Sequence, residues 1–261
     1  MAQLNLDGKS PEQLLIERLI AHCPPEGYYF ADGGGRCSSS VLWGLRESGC
    51  KFDAHHIQTG AEPRELIDFI REHHPETTIE HPPKHIWRVI EERGFPPTAR
   101  IPYCCDCTKE QAGKGRTIVM GVRRQESASR ANVPIFKGCS RYGRGKSYLN
   151  PIADWTIADV NQCHKEHGIP RCILYEQGFT RIGCVMCPKA RPAKMQAEAL
   201  RWPKFAKAWR RAFDRAVISA RERTDKTCTQ VDGAEMYEQW ITGTWTQADE
   251  SCDGFLFEFE G

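Results

Sequence analysis

Between Tyr28 and Leu45 the chain passes from a short apolar run, Tyr28-Tyr29-Phe30-Ala31, through Asp32 and three consecutive glycines into Ser38-Ser39-Ser40-Val41-Leu42-Trp43-Gly44-Leu45, which reads as a helix. A buried strand that enters a glycine-rich turn and leaves as a helix suits an anion cradle, although neither the Walker nor the Rossmann spacing is met and a simple tight turn gives the same pattern. Glycines let the backbone approach the ligand, and amides at the helix start supply hydrogen bonds and positive potential. The alternation is repeated along the chain. A helix is expected from about Ser10, with Ser10 as its cap and Pro11 at its first position. Strands are expected over Phe52–Gln58, near Thr77–Glu80 and over Thr117–Val122, with helices over Glu62–His74 and near Lys84–Arg93. Strands alternating with helices, none joined by tight hairpins, predict a doubly wound, mostly parallel α/β sheet with helices on both faces. Ligands of such sheets sit at the carboxyl ends of the strands. That brings the Gly33–Ser39 turn and the Thr59-Gly60 turn to one crevice.

Beyond about residue 155 the pattern becomes helical. Thr156 is expected to cap a helix reaching about His167, and Pro203 to open a long amphipathic helix with Phe205, Trp209, Ala212, Phe213, Ala216, Val217 and Ala220 inside. Its other side holds Lys204, Lys207, Arg210, Arg211 and Arg215. The expected organisation is an α/β domain with the glycine-rich turn over residues 1–180 and a helical C-terminal part over 181–261, with the boundary near 170–190. No run reaches the roughly 20 apolar residues that span a bilayer, and the first residues, MAQLNLDGKSPEQ, are too polar for a secretory leader. A cytoplasmic protein is expected, with no membrane partner. The formal net charge of +2 hides an asymmetry. Residues 188–223 carry eleven basic and three acidic side chains, whereas residues 224–261 carry one basic and nine acidic. A basic segment beside an acidic tail suits a polyanion-facing surface, although a solvated helix face gives the same count.

Thirteen of the 261 residues are cysteine. In a reducing compartment these are thiols or metal ligands rather than bridges. Cys104-Cys105 and Cys184-x-x-Cys187 form two closely spaced pairs far apart in the chain. Four soft thiolates suit a [4Fe–4S] cluster or zinc. Adjacent cysteines are awkward for a zinc knuckle, and Pro188 after the last cysteine is a frequent companion of iron–sulfur loops, so the cluster is favoured over zinc. Cys107 could serve in place of Cys104. Cys23, Cys50 and Cys163 read as small buried hydrophobes.

These motifs resemble a known family. Gly33-Gly34-Gly35-Arg36-Cys37-Ser38 is similar to the Ser-Gly-Gly-Lys-Asp-Ser pyrophosphate loop of the adenine-nucleotide alpha hydrolases. The glycines, a basic residue and Ser38 are kept, but Cys37 stands where the family has Asp, which bears on ATP cleavage more than on binding. Asp32, one residue before the loop, is a candidate substitute. Two adjacent cysteines, about 80 residues and then Cys-x-x-Cys is the cluster signature of the cluster-bearing sulfonucleotide (APS/PAPS) reductases. Gly121-Val122-Arg123-Arg124-Gln125-Glu126-Ser127-Ala128-Ser129-Arg130 resembles their Gly-x-Arg-Arg-x-x-Ser-x-x-Arg segment. Asn150-Pro151-Ile152-Ala153-Asp154-Trp155-Thr156 and Tyr175–Cys184 resemble further segments, and Ile57-Gln58-Thr59-Gly60 resembles their Leu-Asp-Thr-Gly with Gln58 for Asp. The likeness runs in order from about residue 28 to 190.

The resemblance implies a [4Fe–4S] cluster on Cys104, Cys105, Cys184 and Cys187, with Lys109 nearby. It implies an adenine nucleotide (APS, PAPS or ATP) on Asp32, Gly33, Gly34, Gly35, Arg36, Ser38, Ser39, Thr59 and Gly60, and a sulfate or phosphate gripped by Arg123, Arg124 and Arg130. Guanidinium forks suit both anions. The reductases end in Glu-Cys-Gly-Leu-His, whose cysteine attacks substrate sulfur; here the end reads Glu250-Ser251-Cys252-Asp253-Gly254-Phe255, so Cys252 is a nucleophile only by position. The basic helical tail looks more like the relatives of DNA phosphorothioation systems and phages. Three functions follow from the resemblance: thiol-dependent reduction of a sulfonucleotide or sulfur transfer, with a thiol donor protein as partner; a sulfurtransferase or ATP pyrophosphatase component acting on nucleic acid through residues 188–223; or a protein that keeps nucleotide and cluster for binding alone.

Overall fold

A computed structural model describes residues 8–138, 145–223 and 232–245. In chain order its elements are α1 (Pro11–Ala21), β1 (Tyr28–Ala31), α2 (Arg36–Ser48), β2 (Phe52–Ile57), α3 (Arg64–His73), β3 (Thr77–Glu80) and α4 (Ile86–Arg93). Then come α5 (Tyr103–Cys107), β4 (Thr117–Val119), β5 (Phe136–Gly138), β6 (Ser147–Leu149), α6 (Ile157–Glu166), α7 (Pro192–Arg201), α8 (Pro203–Arg223) and α9 (Gly233–Thr242). The chain divides into two compact units, one of residues up to Pro82 plus Thr108–Cys184, the other of Pro83–Cys107 plus Val185 onward.

The first unit is an α/β sheet with strand order β3-β2-β1-β4-β6-β5. Every pairing is parallel except β5 with β6. The two connections of this set that are single helices, α2 and α3, each carry the chain one strand further toward the β3 edge. Local signals fix the ends of the elements. Ser10 Oγ accepts from the Gln13 amide at 3.2 Å while the Gln13 side chain returns to the Ser10 amide at 2.9 Å, a capping box that starts α1. Gly49 takes a left-handed φ of 67° and ends α2. Thr156 and Asp159 cap α6 reciprocally. The core lies between the sheet and α1, α2 and α6, where Leu15, Tyr28, Phe30, Leu42, Leu45, Val119, Leu149 and Val160 are buried. The expected strand over Thr117–Val122 stops at Val119. From Met120 the chain is drawn toward the start of α2, because Gly121 packs on the backbone of Cys37.

The second unit is helical. α8 packs on α4 and α9. Its inner stripe is Trp209, Ala212, Phe213, Ala216 and Val217, all buried at the spacing the sequence predicts, while Phe205 and Ala220 are half-buried. Trp209 is fully buried, edge-on to Trp87 at 5.2 Å and 4.5 Å from Trp240. Both indole N–H groups find carbonyls, Trp209 at Val185 and Trp240 at Pro97. Among the described residues no helix is long and apolar enough to cross a membrane.

Candidate functional site

The glycine turn at the start of α2 is held from beneath by Asp32. This carboxylate is buried, and its oxygens are all taken by the protein. Oδ1 accepts from the Gly34 amide at 2.8 Å; Oδ2 accepts from His74 Nδ1 at 2.6 Å and from the Thr77 hydroxyl at 2.9 Å. Burial pushes the Asp32 carboxyl up, and His74, Gly34 and Thr77 more than reverse this, leaving it below the usual carboxylate range. Asp32 therefore faces inward and shapes the loop. The other ring nitrogen of His74 lies 3.1 Å from Ser39 Oγ. An Asp–His–Ser order like this would be a hydrolytic triad in an open cleft. Here Ser39 is buried and its hydroxyl also bonds the Gly35 carbonyl, so the relay ties the end of β1 and the α3–β3 turn to the first turn of α2.

Gly34 has a φ of 64°, and a Cβ there would stand 2.6 Å from Leu66 and 2.7 Å from Ile70. Any side chain there has to displace Leu66 and Ile70 and hold a left-handed backbone. Gly33 donates its amide to Ser38 Oγ at 3.1 Å. Gly35 caps α2 without a side chain, and Arg36 follows it. The Arg36 amide donates to the Tyr175 hydroxyl, its guanidinium lies 4.9 Å from the Tyr175 ring centre, and it donates to the Thr180 carbonyl at 2.8 Å. Tyr175 and Thr180 thus clasp the outer side of the loop, a role the sequence does not announce.

Of the three arginines, the structure brings Arg123 to the loop. Arg123 is buried and donates from Nε to Cys37 Sγ at 3.2 Å, with further contacts to Gln125 Oε1 and the Trp155 carbonyl. Burial raises the Cys37 thiol and Arg123 opposes this, with a net upward shift. Arg124 is exposed and donates to the Val133 carbonyl, and Arg130 pairs with Glu126.

The Thr59-Gly60 turn closes on a residue the sequence reading passed over. Glu62, with a fully buried carboxylate, accepts from the Thr59 amide (2.9 Å), the Thr59 hydroxyl (2.9 Å) and the Gly60 amide (3.1 Å). Lys109 Nζ sits 3.1 Å from the same carboxylate and 3.3 Å from Cys184 Sγ. Burial raises the Glu62 carboxyl, and Lys109 carries it back below its usual value. Thr59 Oγ1 lies 4.0 Å from Cys184 Sγ. An acidic residue two positions after Gly60 was the available signal. His56, at the end of β2, points its Nδ1 at the Asp32 carbonyl (2.8 Å) and is buried, with no partner for Nε2 among the described residues.

Cys104, Cys105 and Cys187 belong to the second unit and Cys184 closes the first. None of the four is in a disulfide; Cys104 is buried and the others half-buried. Each cysteine is by its chemistry a soft thiolate donor of the type that holds a metal group, and within the first unit an ammonium stands beside Cys184. Cys107 has the Arg93 guanidinium 3.7 Å from its sulfur. Cys252 and most of the acidic tail lie outside the described residues. In the second unit Lys204, Lys207, Arg211 and Arg215 are exposed along α8, whereas Arg210 pairs with Glu238 and covers the Tyr237 ring.

Residues 33–190 match the family described as phosphoadenosine phosphosulfate reductase domain. A 37.8 kDa protein from the gpa 5' region of Escherichia phage 186 is 40% identical over 83 residues, which is 32% of this chain and 25% of that protein. The adenosine 5'-phosphosulfate reductase of Streptomyces coelicolor is 36% identical over 87 residues, 33% of this chain and 36% of the relative. That of Allochromatium vinosum is 29% identical over 160 residues, 56% of this chain and 62% of the relative. The chain thus spans less than two thirds of the length of these curated relatives.

Proposed function

The chain belongs to the phosphoadenosine phosphosulfate reductase domain family, and on that premise we propose that it is an adenylyl-nucleotide-binding enzyme of sulfur chemistry that holds a [4Fe–4S] cluster on Cys104, Cys105, Cys184 and Cys187. One observation carries the reading. Within the first unit, Cys184 stands 4.0 Å from Thr59 Oγ1 and 3.3 Å from Lys109 Nζ, beside the turn at the carboxyl end of β2. The first cysteine of the second pair therefore adjoins the crevice in which this sheet class binds its ligand.

The residues divide the work by chemistry. Gly33, Gly34 and Gly35 let the backbone approach a phosphate at the start of α2, with Arg36, Ser38 and Ser39 in the first turn. Arg123, fixed against Cys37, supplies a guanidinium for the sulfate or phosphate end. Lys109 offers one ammonium to Glu62 and Cys184 and holds positive charge beside the thiolate. When bound, the cluster would supply a polarising, redox-capable centre. The reaction of this reading is thiol-dependent reduction of a sulfonucleotide or transfer of its sulfur, with a thiol protein as donor.

Anaerobic purification followed by iron and sulfide counts, then incubation with labelled adenosine 5'-phosphosulfate, its 3'-phosphorylated form and ATP, tests this. Sulfite release from either sulfonucleotide supports the reading. A colourless protein with stoichiometric zinc, or AMP and pyrophosphate from ATP alone, overturns it.

A second reading rests on α8. Lys207, Arg211 and Arg215 follow one another at four-residue spacing and are exposed, a stripe that suits the phosphates of a nucleic-acid sulfur acceptor. Duplex binding that weakens with salt and is lost in the triple alanine variant of these residues favours it; salt-insensitive binding counts against it.

A further inference from the structure

Within the first unit, three unlike donors converge. One ligand atom each from Glu12, Cys163 and His167 lies within 4.8 Å of the other two. Glu12 is in the first turn of α1; Cys163 and His167 stand one turn apart at the end of α6, so they share a helix face. We propose that these three residues form a site for a divalent cation of the zinc class, pinning the first turn of α1 to the last turn of α6.

Glu12, in the first turn of α1, is 8% exposed. A carboxylate held at low exposure beside a thiol and an imidazole is an anionic donor suited to a divalent cation. Cys163 is fully buried, with the Ser40 hydroxyl as its hydrogen-bonding neighbour. His167 is exposed, but its ring is stacked on Trp43 with centres 4.0 Å apart and planes at 20°, which fixes the direction of its nitrogens. A thiolate, an imidazole and a carboxylate are the donor types of zinc sites, and three protein ligands leave a fourth position for water. Because His167 is the exposed member, that position faces solvent. Two anionic donors neutralise the ion, and the Cys163 thiol proton leaves to solvent on binding. Cys163 takes no part in the proposed cluster, so the two sites are separable.

The test uses the full chain, purified anaerobically with its iron, loaded with zinc and dialysed. Wild type is expected to hold one more zinc per chain than Glu12→Gln, Cys163→Ala or His167→Gln, with the iron count equal in all four. Zinc is expected to raise the unfolding temperature of wild type and not of His167→Gln, whose exposed position keeps the variant folded. Cobalt in place of zinc is expected to give a thiolate-to-cobalt absorption that Cys163→Ala lacks and Cys184→Ser retains. Equal zinc counts in wild type and His167→Gln, or an equal rise in unfolding temperature, overturn the proposal.

Discussion

His74 Nδ1 lies 2.6 Å from Asp32 Oδ2, with both side chains almost wholly buried, and this contact joins the α3–β3 turn to the end of β1 beneath the glycine loop. The folded carboxyl ionises at lower pH than the unfolded one, whose value is about 3.9. As pH falls the unfolded chain therefore takes up the proton first. The stabilisation is complete above the unfolded value and is lost as pH drops through it toward the folded value. Asp32→Asn is expected to cost about 2–4 kcal/mol at pH 7, because it unpairs His74 and Thr77 in the interior. Urea unfolding across pH 7 to 3 checks this. The variant should start lower and lose less stability below pH 5 than wild type; parallel curves would refute the assignment.

Gly34→Ala tests the steric claim on the loop. The added methyl meets Leu66 and Ile70 at under 3 Å, and the residue must also hold a φ of 64°. A loss of about 2–3 kcal/mol in urea unfolding is expected from overpacking and backbone strain together. Gly49→Ala is the control: its φ is equally left-handed, but a Cβ there meets nothing within 4 Å. It should cost only the backbone share, about 1 kcal/mol. Equal losses at the two positions would show that Leu66 and Ile70 give way freely.

Glu62 and Lys109 should be coupled. Lys109→Met leaves a fully buried carboxylate whose hydrogen-bond partners among the described residues are Thr59, Gly60 and the Cys184 thiol, and is expected to be clearly destabilising. Adding Glu62→Gln removes the stranded charge and should recover part of the loss. A double-mutant cycle by urea unfolding is expected to give a coupling of about 1–3 kcal/mol. Additive losses would mean the pair contributes nothing beyond its separate contacts.

Strand and helix placement was largely legible because the local signals agree. Ser10 with Gln13, Thr156 with Asp159, and the apolar spacing from Trp209 to Val217 each specify an element without help from the rest of the chain. The glycine loop and Arg123 were legible for the same reason: strand, glycines and helix are contiguous, and Gly121 marks a close backbone approach. What was not legible depends on partners distant in sequence. Glu62 reads as an ordinary acidic residue until Lys109 is placed on it, and His74 reads as one of two adjacent histidines until Asp32 is beneath it. Residues 83–107 fall with the C-terminal helices rather than with the sheet, an excursion that no boundary drawn along the chain can show. β5 and β6 give no apolar run like that of β4: β5 is exposed along its length and β6 buries only Leu149.

Arg123 and Arg124 are adjacent in sequence and should differ sharply in binding. Arg123 is buried against Cys37 with its fork held by Gln125 and Trp155, so its position is set before any ligand arrives. Arg124 is exposed and its Nε is committed to the Val133 carbonyl. A preorganised guanidinium on a sulfate or phosphate makes charge-assisted hydrogen bonds of about 1.5–3 kcal/mol, more than tenfold in affinity. Calorimetric titration with adenosine 5'-phosphosulfate is expected to show at least a tenfold weaker Kd for Arg123→Ala and less than a threefold change for Arg124→Ala. Arg123→Lys keeps the charge but loses the fork, so its affinity should fall between wild type and Arg123→Ala. Circular dichroism melts of the same samples separate lost binding from lost folding. Similar Kd changes at both positions would move the anion site away from Arg123 and Cys37.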